Sequence, residues 1–161
     1  MYPDFSLSVQ YAVAAPDLPR WRLRRWVGQA LEQALVTPDP RAGQPVALTL
    51  RIVDADEGRA LNASYRQRDY ATNVLTFEYG ETPDGLISGD IVLCLPVLVR
   101  EAAEQHKPLP HHAAHLVTHG VLHALGWDHI VPDEAERMEA LETRILAAQH
   151  IPDPYRVGSQ T

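Results

Sequence analysis

The chain has 161 residues, a formal net charge of −7 and 45% hydrophobic residues, a composition typical of one soluble globular domain spanning 1–161. The acidic balance argues against a protein that coats nucleic acids by charge alone. No apolar run approaches the roughly 18–20 residues of a membrane span, and no signal peptide is predicted. The single cysteine, Cys94, excludes an internal disulfide and fits a reducing cytoplasm.

Apolar periodicity predicts strands mainly in the first part of the chain. Alternation of apolar and polar residues indicates strands at 5–13 and 46–53, and a short strand is predicted at 74–77. The near-continuous apolar run at 90–95 is typical of a strand buried on both faces, and Cys94 within it is expected to be buried. Between the last two strands, residues 80–89 carry turn signals.

Helical spacing dominates the rest of the chain. Helices are predicted at 20–36, from the capping box at 54–57 to about Arg66, and at 96–106, 110–125 and 132–149. Because strands come mostly early and helices mostly late, the pattern favours an α+β fold, a small mixed β-sheet packed with about five helices. The tail from about 151 is expected to be loosely ordered.

A basic cluster lies at the start of the first predicted helix. It comprises four arginines within six residues and two tryptophans: Arg20, Trp21, Arg22, Arg24, Arg25 and Trp26. Two interpretations remain open, the solvated face of an amphipathic helix and a patch that contacts phosphates.

The histidines predict a metal site. Seven of the eight fall between 106 and 129, a density that core packing does not explain. His119 and His123 lie four apart on one helix face and can bind one ion. Gly126 is placed to end the helix, so that His129 can return as the third ligand. Three imidazoles with an open fourth position are typical of a catalytic zinc site, which predicts one Zn²⁺ per chain.

Neighbouring residues supply weaker candidates. His115 lies one turn before His119 and either contacts a ligand or substrate or packs as an ordinary helix residue. Asp128 either orients a ligand imidazole or shapes the turn. His111 and His112, at the helix start, are expected at the surface.

The spacing of the three histidines is zincin-like. It matches H-E-x-x-H-x-x-G-x-x-H, in which a glutamate general base follows the first histidine, but here Gly120 occupies that position. A metallopeptidase or amidohydrolase therefore remains an alternative only if a carboxylate from elsewhere acts as base, with Asp69, Asp90 and Asp128 as candidates.

Arg66 begins a second polar segment, because it lies at a predicted helix end before the loop 67–73. An arginine there can clamp phosphate oxygens bidentately, and the alternative is an ordinary surface arginine.

Taken together, these segments closely resemble the YbeY family of bacterial metal-dependent endoribonucleases. The matching patterns are N-x-x-Y-R-x-x-D-x-x-T-N-V-L-T-F at 62–77, G-D-I at 89–91, H-G-x-L-H-x-L-G-W-D-H at 119–129 and E-A-E-x-M-x-x-L-E at 134–142. The resemblance runs from about 46 to 150, and Trp127 stands where the family usually has tyrosine.

The resemblance implies zinc held by His119, His123 and His129, with Arg66 and His119 as the essential residues. Asp69 and Asn73, from the same matching segment, are further candidates for contacts with substrate or ligands. It also implies a single-strand-specific endoribonuclease in the cytoplasm that matures the 3′ end of small-subunit ribosomal RNA and serves ribosome quality control.

The implied partners are ribosomal RNA and the small ribosomal subunit with its associated factors, and neither membrane nor DNA. The corresponding mechanism is metal-assisted phosphodiester hydrolysis, in which Arg66 stabilises charge on the phosphoryl oxygens, provided that it folds over the histidine helix. A non-catalytic zinc-containing ribosome-assembly factor is the remaining alternative.

Overall fold

The chain alternates between strands and helices at first and ends with three consecutive helices. The computed structural model describes residues 5–35, 43–127 and 132–155. Its elements are β1 (Phe5–Tyr11), α1 (Arg20–Ala34), β2 (Val46–Val53), α2 (Ala55–Arg66), β3 (Val74–Glu81), β4 (Ile87–Cys94), α3 (Leu95–Glu104), α4 (Leu109–Ala124) and α5 (Pro132–Ala147). Within these ranges, each helix is too short or too polar to cross a membrane.

The four strands form one mixed sheet in the order β1-β2-β4-β3. β1 pairs with β2 and β2 with β4 in parallel, whereas β3 runs antiparallel to β4. This arrangement makes β1 and β3 the edge strands. The predicted α+β fold, with a small mixed sheet and five helices, is confirmed.

The hairpin between β3 and β4 is tighter than the sequence pattern predicted. β3 continues to Glu81 and β4 begins at Ile87, so half of the predicted loop 80–89 is strand. The turn itself closes where the Gly85 amide donates to the Thr82 carbonyl and the Thr82 amide to the Leu86 carbonyl. Pairing between strands, which local turn signals do not report, sets these boundaries.

The sheet is buried on both faces, but unequally. The main core joins one face to α1, α4 and α5, and a smaller core lies on the other face and includes Leu61 of α2. Because side chains alternate along a strand, Ile91 of β4 belongs to the first core and Val92 to the second. The predicted burial of Cys94 is confirmed, and burial raises the pKa of its thiol.

α4 approaches the sheet closely where glycine allows it. A Cβ at Gly120 would lie 2.8 Å from Cγ2 of Ile91, and a Cβ at Gly89 would lie 3.0 Å from that of Ala124. Both distances are too short for a comfortable contact. The close approach fixes the position of His119, next to Gly120, relative to β4.

We expect Gly120→Ala to lower the free energy of unfolding by about 1 kcal/mol. The overlap with Ile91 costs about 1–3 kcal/mol, whereas alanine gains up to about 1 kcal/mol in helix propensity. Urea denaturation gives the difference, and Gly58→Ala in α2 is the matched control. The control methyl would meet Sγ of Cys94 at 3.1 Å, so a smaller loss is expected. Wild-type stability of Gly120→Ala would show that α4 can shift away from β4 without cost.

Candidate metal centre

His119 and His123 converge on α4 as their spacing predicted. Their Nε2 atoms lie 3.0 Å apart, and their rings meet at 76° with centroids 4.5 Å apart. Two nitrogen ligands on one tetrahedral zinc ion, each about 2.0–2.1 Å from the metal, are about 3.3 Å from one another. The separation of the two nitrogens therefore fits a shared zinc ion.

The predicted turn after α4 is confirmed. Gly126 has a φ of +98°, a left-handed conformation that suits glycine. The Gly126 amide donates to the His123 carbonyl at 2.9 Å and the Trp127 amide to the Leu122 carbonyl at 3.0 Å, a pattern that ends the helix. His129, the predicted third ligand, lies outside the described residues, as does Asp128. Within the described ranges, no group of three or more His, Cys, Asp or Glu side chains is placed to hold a metal ion.

Glu142 of α5 is the residue that the reasoning from sequence missed. Its side chain is fully buried, and its Oε2 accepts a hydrogen bond from Nδ1–H of His119 at 2.6 Å. This contact assigns the proton of the imidazole to Nδ1 and leaves the lone pair of Nε2 directed toward His123. A carboxylate behind a histidine ligand is a common arrangement in metal sites, because it orients the ring and makes it a stronger ligand. Glu142 is thus placed to orient the His119 ring, whereas Asp128, for which such a role was considered, lies outside the described residues.

Two further groups hold the same carboxylate. Nε2–H of His115 donates to Oε1 of Glu142 at 3.1 Å, and the Tyr155 hydroxyl donates to the same oxygen. Burial by itself raises the pKa of Glu142, but these hydrogen bonds and the one from His119 lower it to about 2. The carboxylate therefore remains charged inside the protein. His115 contacts the candidate metal centre through this shared partner.

The contact with Tyr155 orders the start of the C-terminal segment. Residues 151–155 were expected to be loosely held, but Ile151 is buried and the Tyr155 hydroxyl is bound to Glu142. Burial and the nearby carboxylate raise the pKa of the Tyr155 hydroxyl, so it stays protonated and remains a donor. Through Tyr155, residues 151–155 therefore take part in holding the histidine helix.

Asn73 and His112 belong to a separate buried network. Nε2 of His112 lies 2.8 Å from Oε1 of Glu101, and Nδ2 of Asn73 donates to the same oxygen at 3.0 Å. The expectation that His112 lies at the surface is wrong, because it is 3% exposed and burial lowers its pKa. Asn73 thus braces the start of β3 against α3 and α4.

Asp69 is engaged elsewhere as well. Its two carboxylate oxygens accept from Nε and Nη2 of Arg59 at 2.7 and 2.9 Å, on the exposed side of α2. The hydrogen bond from Arg59 lowers the pKa of Asp69. The contacts of Asp69 are therefore with α2 and not with the histidines.

Arg66 reaches the edge of the sheet. Its Nη2 donates to the backbone carbonyl of Thr76 at 2.9 Å, on edge strand β3. Thr76 is the register partner of Ile91, which packs under Gly120 of α4. The pairing of Thr76 with Ile91 thus connects the strand residue that binds Arg66 to Gly120, the neighbour of His119. This pairing is the connection that the described contacts give between Arg66, whose helix α2 packs on one face of the sheet, and the histidines of α4, which packs on the other.

We expect Glu142→Gln to weaken zinc binding by roughly 10–100-fold, the usual effect of removing a carboxylate behind a ligand imidazole. The glutamine amide has the same shape but no charge. Its nitrogen is a donor, so it cannot accept hydrogen bonds at both terminal atoms from His115, His119 and Tyr155 as the carboxylate does. Competition with a chromogenic chelator measures the affinity. Glu139→Gln, an exposed change one turn earlier on α5, is the control. Unchanged zinc affinity of a folded Glu142→Gln would show that the carboxylate does not support His119 as a ligand.

Comparison with known proteins identifies the family. The family model for endoribonuclease YbeY matches residues 11–150. A protein of Bordetella pertussis named endoribonuclease YbeY is 62% identical over 96% of this chain and 98% of its own length. A protein of the same name from Thiobacillus denitrificans is 53% identical over 96% and 99%.

One solved structure supports the fold. The solution structure of a Thermotoga maritima protein superposes with a TM-score of 0.56 at 22% identity, covering 97% of this chain and 100% of that one. At this identity the likeness bears on the fold alone. The match to the family model and the identity to the named relatives over nearly the full length decide the assignment, and the chain belongs to the YbeY family.

Proposed function

We propose that this chain is a zinc-dependent endoribonuclease that hydrolyses phosphodiester bonds in single-stranded RNA. The observation that carries the proposal is the convergence of Nε2 of His119 and Nε2 of His123 in front of the buried Glu142 carboxylate. The name of its relatives, endoribonuclease YbeY, supports the same substrate class.

The residues fit a zinc ion, which would be held by His119, His123 and His129. Bound there, zinc supplies Lewis-acid chemistry, activating water and stabilising negative charge on a phosphate oxygen. The protein's own part is to align the imidazoles. Glu142 does so for His119 by holding the Nδ1 proton, so that Nε2 keeps its lone pair for a cation.

Arg66 is proposed to bind the scissile phosphate. Its single bond to the Thr76 carbonyl uses one of five guanidinium donors, so the remaining donors can bind phosphoryl oxygens. Charge on these oxygens grows as the phosphodiester bond breaks, and a fixed cation stabilises it most at that point. The backbone anchor holds the guanidinium in place at the β3 edge.

Peptide hydrolysis has less support than RNA hydrolysis, because it needs a carboxylate as general base and the described candidates are engaged elsewhere. A side chain at position 120, where zincin peptidases have their glutamate, would collide with Ile91. Asp69 is paired with Arg59. Asp90 accepts a hydrogen bond from the Tyr79 hydroxyl at 2.7 Å. Because side chains alternate along β4, Asp90 lies on the face of the sheet opposite to Ile91 and α4. Asp128, the remaining candidate, lies outside the described residues.

We further propose that the substrate is ribosomal RNA, in maturation of the 3′ end of the small-subunit RNA and in ribosome quality control in the cytoplasm. The resemblance of the site segments to the family is the support for this assignment. The partners would be the small ribosomal subunit and its associated factors. The net charge of −7 favours RNA that is presented by the ribosome over RNA gripped unaided by charge.

The test compares three variants for zinc content and for cleavage of single-stranded RNA. We expect His123→Ala to lose both zinc and cleavage. Arg66→Ala should keep zinc and lose roughly 10²–10³-fold in kcat, the usual effect of removing one group that stabilises transition-state charge. Arg68→Ala, an exposed arginine two residues away, is the control and should cleave as the wild type does.

Two results would contradict the proposal. Full cleavage by His123→Ala after loss of its zinc would exclude a catalytic metal. Wild-type protein with one zinc per chain that binds RNA but never cuts it would favour a non-catalytic assembly factor.

A further inference from the structure

The outer side of α1 carries a compact basic surface. It consists of Arg20, Trp21, Arg24 and Arg25, here called the α1 basic face. Positions i, i+1, i+4 and i+5 are neighbours on a helix, and all four side chains are exposed, Trp21 by 61%. Two adjacent rows of side chains thus form one patch of three cations and one exposed aromatic ring, and the guanidinium carbon of Arg22 lies 5.2 Å from the ring centre of Trp21 on one of its sides.

The arginines of this face lack the carboxylate partners that the protein gives to other arginines. Arg51 pairs with Glu57 and Arg59 with Asp69. In the parts of the chain that the structure describes, none of the arginines of the α1 basic face forms an ion pair with a carboxylate. The first turn of α1 also has no acidic residue. Positive charge is therefore concentrated here in a protein whose net charge is negative.

Aromatic side chains of β1 hold two of the guanidinium groups in place. The guanidinium carbon of Arg20 lies 4.9 Å from the ring centre of Tyr11, and that of Arg24 lies 4.5 Å from the ring centre of Phe5. Such stacking restrains an arginine while the N–H groups at its edge can still contact phosphate, although Nη2 of Arg20 also donates to the Val9 carbonyl at 3.5 Å. The surface is therefore partly organised before a ligand binds.

We propose that the α1 basic face is a second RNA-binding surface, with phosphates on its arginines and a base stacked on Trp21. RNA as the ligand rests on the proposed function. Cations beside an exposed aromatic ring are the combination by which proteins bind single strands without sequence preference. A lipid surface fits less well, because the apolar side chains of α1, Leu23, Trp26 and Val27, are buried in the main core and cannot insert.

The α1 basic face lies apart from the proposed cleavage site. Arg20 and Arg24 stack on residues of β1, one edge strand, whereas Arg66 is anchored to β3, the other edge strand. Three strand spacings separate the two edges, about 14 Å. The face therefore binds RNA away from the scissile phosphate, and it should affect the affinity for long RNA more than the chemical step.

The test measures binding and cleavage of a fluorescein-labelled single-stranded RNA of about 20 nucleotides, longer than the footprint of a single binding fold. The variants are Trp21→Ala, Trp21→Phe and the double variant Arg24→Gln/Arg25→Gln. The control is Arg137→Gln/Arg144→Gln on the exposed side of α5, which changes the net charge equally.

We expect Trp21→Ala to weaken RNA binding roughly five-fold or more, the effect of losing one stacked base, and Trp21→Phe to retain most of the affinity. A plot of log affinity against log salt has a negative slope, and the double variant should make that slope less steep by about 1.4. Each phosphate contact contributes about 0.7 to its magnitude on a single strand. For cleavage, KM should rise while kcat stays near the wild-type value. The control pair should bind as the wild type does.

The outcomes separate this proposal from the proposed function. Wild-type RNA affinity in all variants of the face, with cleavage intact, would overturn the second surface and leave the nuclease standing. Weakened RNA binding in these variants, with no cleavage by the wild type, would support the surface and contradict the nuclease. Loss of binding to phosphatidylglycerol vesicles in place of RNA would overturn the proposal in favour of a membrane contact.

Discussion

The buried carboxylate of Glu142 is the constraint on which the candidate metal centre depends. An isolated charge in the interior costs several kcal/mol, and only well-placed hydrogen bonds offset that cost. Glu142 obtains them from His115 and His119 on α4 and from Tyr155 beyond α5. If one of these donors moved away, the carboxylate would be left with fewer partners. The same charge therefore fixes the rotation of the His119 ring, the packing of α5 on α4 and the course of the chain after α5.

The packing of α4 on β4 determines which carboxylates can serve the site. Gly120 allows the helix to approach Ile91, and the same closeness leaves no space for the acidic side chain that follows the first histidine in zincin peptidases. The acid of this centre comes from α5 and faces Nδ1 of His119, behind the ring. A carboxylate in that position orients a ligand but does not reach the substrate side. Such a centre suits a reaction in which the attacked group is a phosphate that is held by a cation from another element, the role proposed for Arg66.

What could be predicted from the sequence was local. The periodicity of α4, the spacing of His119 and His123 and the turn at Gly126 depend on neighbours within a few residues, and the structure has them as predicted. Glu142 and Tyr155 could not be found in this way, because they meet their histidine partners across 23 and 40 residues of sequence. Only the family pattern at 134–142 contained a signal for Glu142. Asp69 shows the converse, since it lies in a matching motif but is paired with Arg59.

The distribution of charge decides how an acidic protein can act on RNA. A net charge of −7 repels a polyanion at long range, but at an ionic strength of 0.1 M the field of an exposed charge decays over about 10 Å. Arg66 and the α1 basic face are held by opposite edge strands, which lie about 14 Å apart, so each acts on the phosphates nearest to it. Paired arginines such as Arg51 and Arg59 add little attraction of their own. On the proposed function, an RNA strand is then attracted at two separate places on a protein whose net charge is negative.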